Sequence, residues 1–267
     1  MTSALLSEAL APLRSNRSRA AVLLDIDGTL APIVQHAADA SVPEATRQLL
    51  IAVTKRYGLV ACVSGRRASE ARAMVSIGAI SYLGSHGAEL LRAGWTEAKL
   101  DPGLEDWARR IHEFGHEADT PDLRRRRVRV EDKGAIIAFH WRGAPDESAA
   151  QAAVDEIAAR AQAAGLKTHA GRKVLEVRPP VRIDKGAGVT ALLENAEIDV
   201  AMYVGDDTTD LDAFRALEAL ADGGALQRAI RVGVSSEDGP AAIRSEADVV
   251  VEGPEGVQEL LSILAAD

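Results

Sequence analysis

The sequence predicts an α/β fold, a doubly wound parallel sheet with a smaller α+β unit inserted into it. Three observations carry that expectation. Short apolar runs alternate with stretches of helical periodicity. Several of the runs stop at polar, glycine-bearing signatures, as strands do at the functional edge of a parallel sheet. Between residues 101 and 178 the alternation gives way to helix, hairpin, helix, hairpin.

Residues 20–24 are apolar throughout and end at Asp25, so they read as a buried strand. Residues 42–57 read as a helix that Pro43 starts and Gly58 stops. A second buried strand, 59–63, ends at Ser64-Gly65-Arg66; a helix follows over 69–75. A third strand, 79–83, runs into Gly84-Ser85-His86-Gly87. The inserted unit opens with an amphipathic helix, 101–118, and a strand pair, 127–131 and 135–141, about the turn Asp132-Lys133-Gly134. An alanine-rich helix over 146–164 and a pair over 166–170 and 173–178 complete it. After Pro179-Pro180 the first pattern resumes: helices over 185–195, 211–221 and 254–265, and strands over 200–204, 230–234 and 248–251. The expected domains are therefore 1–100 with 179–267, and 101–178, with hinges near Asp101-Pro102-Gly103 and Pro179-Pro180.

Composition narrows the function. The chain has 267 residues, 47% hydrophobic and 27% charged, with a net charge of −9. A chain of that sign is not built to coat nucleic acid, so an anionic substrate needs local cations or a metal. The run Arg124-Arg125-Arg126-Arg127 has no interleaved aromatics and reads as a solvated strand edge. The single cysteine, Cys62, excludes an internal disulfide and reads as a small core residue in its strand. Residues 1–19 have no continuous apolar core, and no stretch reaches the ~20 apolar residues of a membrane helix. A cytoplasmic protein with no membrane contact is the expectation.

The strand ends gather the chemistry. Asp25-Ile26-Asp27-Gly28-Thr29, Ser64-Gly65-Arg66 and Gly205-Asp206-Asp207-Thr208-Thr209-Asp210 all fall at one sheet edge, with Lys185 opening a helix nearby. Taken singly, each has a plain alternative: a turn, a helix cap or a solvated lysine. Taken together, packed carboxylates repel and call for a cation, and oxygen donors alone point to Mg²⁺. A carboxylate can attack phosphorus, and a second one two residues on can act as general acid and base. Ser64 and Lys185 are placed to hold phosphoryl oxygens.

On these residues the chain resembles the haloacid dehalogenase (HAD) superfamily. Asp25-Ile26-Asp27-Gly28-Thr29-Leu30 matches its first motif, Ser64 its second, Lys185 its third, and Gly205-Asp206-Asp207 with Asp210 its fourth. The resemblance implies that Asp25 is the nucleophile and Asp27 the general acid/base. It implies Mg²⁺ held by Asp25, Asp27 (through its carbonyl) and Asp206, with Asp207 or Asp210 supporting the metal from behind these ligands or, as with Asp207, binding it directly.

The chain is more closely similar to the trehalose-6-phosphate phosphatases, over nearly its whole length. Carrying this are Gly84-Ser85-His86-Gly87-Ala88-Glu89, Val130-Glu131-Asp132-Lys133-Gly134, His140-Trp141-Arg142 and Val174-Leu175-Glu176-Val177-Arg178-Pro179, besides the HAD motifs. Trp141 stands where that family more often has Tyr. The resemblance implies that the insert is a cap over the sugar. Glu131, Lys133 and Glu176 would accept and donate hydrogen bonds to hydroxyls, with Arg66, His86 and Arg178 as further substrate contacts. It implies a small-molecule substrate, trehalose 6-phosphate, with a trehalose-6-phosphate synthase as the pathway partner and a monomer as the expected state. Two other readings stand beside it: a phosphatase or phosphomutase for another sugar phosphate, and a non-catalytic sensor on the same scaffold. In the second, Asp25, Asp27, Lys185 or Asp206 would be lost; all four are present.

Overall fold

The computed structural model describes residues 3–34, 39–194, 196–236 and 239–266. The chain divides into two compact units, 1–99 with 184–267, and 100–183.

The first unit begins with two short helices, α1 (Ser3–Ala9) and α2 (Ala11–Ser15). Strand β1 (Ala20–Leu24) follows, then α3 (Glu44–Thr54), β2 (Leu59–Val63), α4 (Ala68–Val75), β3 (Ser81–Gly84), β4 (Glu89–Leu91) and β5 (Lys99–Leu100). The second unit holds α5 (Glu105–Ala118), α6 (Pro121–Arg125), β6 (Arg129–Asp132), β7 (Ile137–His140), α7 (Glu147–Ala163), β8 (Lys167–Gly171) and β9 (Val174–Arg178). The chain then returns to the first unit with α8 (Lys185–Glu194), β10 (Val200–Gly205), α9 (Asp210–Asp222), β11 (Arg228–Ser235), α10 (Ala241–Glu246), β12 (Val249–Glu252) and α11 (Gly253–Ala265).

The first unit's sheet runs in the order β12-β11-β10-β1-β2-β3-β4-β5. It is parallel from β12 to β3; β4 turns back antiparallel to β3. Strand β1 is buried at every residue because both faces are covered. Val22 and Leu24 pack into a core with Leu50, Val53, Leu260 and Leu264, from α3 and α11. Ala21 and Leu23 pack on the opposite face with Val189, Leu192, Phe214 and Leu217, from α8 and α9. Alternate residues of one strand thus serve two cores, as its period of two requires. Cys62 lies in the first of these cores, and burial pushes its thiol up, so it is a packed hydrophobe.

The second unit is a four-stranded antiparallel sheet, β6-β7-β9-β8. Ile137, Phe139, Leu175 and Val177 bury against Ile111 and Phe114 of α5 and Val154 and Ile157 of α7. The arginine run departs from the expected strand edge. Thr120 caps a short helix by accepting from the Leu123 N–H at 3.2 Å, Pro121 occupies its first turn, and Arg124 and Arg125 close it. Its charges are spent locally: Arg124 pairs with Asp119, and Arg125 and Arg126 pair with Asp122. No helix among the described residues is long and apolar enough to cross a membrane.

Candidate active site

Parallel strands deliver their following loops to one edge, and the first unit's acidic groups collect there. Asp25 follows β1 directly; its N–H still donates to the Val204 carbonyl of β10 at 2.9 Å. Asp206 follows β10, and Asp210 opens α9. Oxygens of Asp25, Asp206 and Asp210 all lie within 4.8 Å of one another, and all three residues are buried. Lys185, the first residue of α8, reaches between two of them. Its Nζ donates to Asp25 Oδ1 at 2.6 Å and to Asp210 Oδ1 at 2.7 Å.

Two glycines make the approach possible. Gly28 has φ of +89°, and a Cβ there would stand 2.1 Å from Asp206 Oδ2. A Cβ on Gly205 would stand 2.3 Å from Asp210 Cγ. Any larger residue at either place would push a carboxylate away.

Three carboxyls share one ammonium in a buried place, so ionising all of them there is costly. Burial pushes the Asp25 carboxyl well up; Lys185 pulls against it, while Asp210 and Asp206 add to it. Burial and the Asp210 charge push Asp206 up to about 6. That cost is what a divalent cation would relieve, and a set of oxygen donors suits Mg²⁺. The three are not equivalent as ligands. Asp210 accepts four hydrogen bonds: from Lys185 and the Tyr203 hydroxyl on Oδ1, and from the Asp206 and Asp207 N–H groups, both at 2.9 Å, on Oδ2. A carboxylate has about four acceptor sites, so protein donors saturate Asp210. Asp206 accepts from the buried Thr29 hydroxyl on Oδ1 at 3.0 Å, which leaves acceptor capacity for a cation. Asp207, expected from the sequence as a metal ligand, is exposed, and its Oδ1 accepts from the N–H and hydroxyl of Thr208.

The other expected residues fall in two groups. Asp27 is held by Arg66 in a bidentate pair at 2.7 and 2.6 Å. Ser64 is buried; its Oγ accepts from the Arg66 N–H at 3.1 Å, and its carbonyl accepts from the His86 N–H at 3.0 Å. His86 has φ of 58° and packs its ring on Gly65. Glu89 is buried and accepts from the Ala68 N–H at 2.9 Å, so it caps α4 from another strand.

In the second unit, strand register places Glu131, Ala138, Glu176 and His169 in one cross-strand row, on the sheet face opposite the helices. Lys133 Nζ donates to Glu176 Oε1 at 3.1 Å, and Arg178 donates to Oε2. Burial raises Glu176, but Lys133 and Arg178 outweigh it and hold the carboxyl at about 2. His140 Nε2, 2.7 Å from Glu131 Oε2, with Lys133 and Arg129, holds Glu131 at about 2 against its burial.

Tyr203 carries a part of the site that the motifs did not single out. Tyr203 left one signal: a phenol in the otherwise apolar run 200–204 needs a buried partner.

A doubly wound sheet with these groups at its strand ends defines a HAD-like hydrolase fold. A haloacid dehalogenase-like hydrolase from Bacteroides thetaiotaomicron superposes with a TM-score of 0.60 at 16% identity, over 91% of this chain and 98% of the other. The C-terminal domain of the Candida albicans trehalose-6-phosphate phosphatase superposes with a TM-score of 0.72 at 22% identity, over 99% and 97%. The sequence matches the trehalose-phosphatase family over residues 23–251, and the chain belongs to that family. The trehalose-phosphate phosphatase of Mycobacterium marinum is 35% identical over 214 residues, covering 74% of this chain and 52% of that protein. The chain spans about half the length of that relative, and 18% of another that it matches.

Proposed function

We propose that the chain is a phosphoric monoester hydrolase that converts trehalose 6-phosphate to trehalose and phosphate through an aspartyl phosphate on Asp25. The observation that carries this reading is the buried set Asp25, Asp206, Asp210 and Lys185, three carboxyls gathered about one ammonium. Asp25, Asp206 and the Asp27 carbonyl would hold Mg²⁺, which supplies positive charge to the phosphoryl oxygens when bound.

An Asp25 carboxylate oxygen attacks phosphorus, and the ester P–O bond breaks. Asp27 gives its proton to the leaving sugar oxygen. Water then attacks phosphorus, Asp27 takes its proton back, and the bond to Asp25 breaks to release phosphate. Lys185 and Ser64 hold phosphoryl oxygens through both steps. Arg66, paired with Asp27 here as a carboxylate, would turn to the phosphate charge when substrate binds and so free Asp27 to carry the proton; His86 packs on the same turn. Glu131, Lys133, Glu176 and Arg178 are assigned to the sugar hydroxyls. Family membership supports this assignment, together with a charged sheet face whose ion pairs fix the side chains.

Magnesium-dependent phosphate release tests the reading, with trehalose 6-phosphate set against glucose 6-phosphate. We expect kcat/KM higher for the disaccharide by at least about tenfold. Equal values would move the substrate to another sugar phosphate. No release from any ester would leave a non-catalytic scaffold.

A further inference from the structure

The buried end of the acidic cluster holds a group that the phosphatase reading leaves without a role. Tyr203 sits in β10, two residues ahead of Gly205. Its ring is fully buried and meets Phe214 edge-on, with centroids 6.0 Å apart and planes at 81°. Its hydroxyl donates to Asp210 Oδ1 at 2.7 Å. The same oxygen accepts from Lys185 Nζ, which also donates to Asp25 Oδ1. Hydrogen bonds therefore run without a break from a phenol in the core to the nucleophile.

We propose that Tyr203 is a positioning residue: its hydroxyl fixes the Asp210 carboxylate, and Asp210 in turn sets where the Lys185 ammonium lies relative to Asp25. The inference rests on the reading of Asp25 as nucleophile.

Donors and acceptors compete along this chain of hydrogen bonds. Asp210 Oδ1 divides its charge between two donors, Tyr203 and Lys185. Lys185 divides its charge between two carboxylates, Asp25 and Asp210. With the phenol gone, Lys185 is the only donor left on that oxygen among the described residues. In a buried site of low dielectric the ammonium is then drawn toward Asp210 and away from Asp25. Asp210 Oδ2 also holds the N–H groups of Asp206 and Asp207, so a turn of the carboxylate moves the loop that carries Asp206. A residue present only to fill the core would need no hydroxyl. Phenylalanine has the same shape, and Phe214 beside it shows that this packing accepts a plain ring.

The test is Tyr203→Phe in the whole chain. Phosphate release is followed with trehalose 6-phosphate and with p-nitrophenyl phosphate, beside thermal unfolding. We expect kcat to fall about tenfold or more on both esters while KM changes less than about twofold. The second expectation is coupling. In an Asp210→Asn background, adding Tyr203→Phe should lower kcat little further, because the path through Asp210 is already broken. Wild-type kcat in Tyr203→Phe, with only a lower Tm, overturns the inference and leaves the phosphatase reading standing. So does an undiminished loss in the Asp210→Asn background. Failure of the wild-type chain to release phosphate from either ester overturns both.

Discussion

The acidic cluster of the first unit and the charged sheet face of the second use the same kinds of side chain to opposite ends. At Asp25 and Asp206 burial outweighs the available cation, and both carboxyls are pushed up. At Glu131 the His140 hydrogen bond with Lys133 and Arg129, and at Glu176 the cations Lys133 and Arg178, outweigh burial, and both carboxyls are held at about 2. The first arrangement lacks the cation that would let its carboxyls ionise cheaply. The second is complete. It fixes the direction of the polar side chains on that face. Removing one member of a buried ion set is costly because it leaves a charge unpaired.

That contrast can be broken most forcefully at Asp210. Asp210→Ala leaves Lys185 with one partner and leaves the Asp206 and Asp207 N–H groups bare. We expect a loss of about 3–5 kcal/mol, read as a Tm lower by about 10 °C, together with loss of turnover. An unchanged Tm would mean that the cluster is not organised around this residue.

In the second unit the effect is smaller and depends on pH. The Glu176 carboxyl lies at about 2, below its ordinary value of 4.5, so its contribution is present above pH 4.5 and fades as pH falls toward 2. At most this is about 3 kcal/mol. In thermal melts taken from pH 5 to pH 2, Glu176→Gln should show a flatter fall in Tm than the wild type. Parallel curves would mean that Lys133 and Arg178 do not hold the carboxylate in solution.

The smallest expected effect is at Glu89, buried yet outside the acidic cluster. Glu89→Gln keeps an acceptor for the Ala68 N–H but loses the charge at the start of α4. About 1 kcal/mol should be lost, measurable by urea unfolding, with KM nearly unchanged.

The buried strands were legible because central parallel strands are apolar at every position: residues 20–24, 59–63 and 200–204 are such runs. Helices α1, α2 and α10 were not, having only seven, five and six residues. Strands β4 and β5 have three and two residues, too few to show a period. Helix α6 did leave a signal, Thr120-Pro121, but the arginines beside it drew the reading to a strand edge. Within the site, the motifs placed Asp25, Asp206 and Lys185 at one edge. The sequence Gly205-Asp206-Asp207-Thr208-Thr209-Asp210 offers three carboxylates, and spacing does not say which of them turn inward. Asp210 does, because Gly205 leaves it room and two backbone N–H groups face it.

The account turns on covalent chemistry at Asp25. The most direct measurement is rapid acid quench of the enzyme turning over trehalose 6-phosphate with Mg²⁺, followed by peptide mass spectrometry. A phosphoryl group on Asp25, absent from Asp25→Asn, is the predicted result. Turnover with no phosphoryl on Asp25, or full activity of Asp25→Asn, would contradict the account.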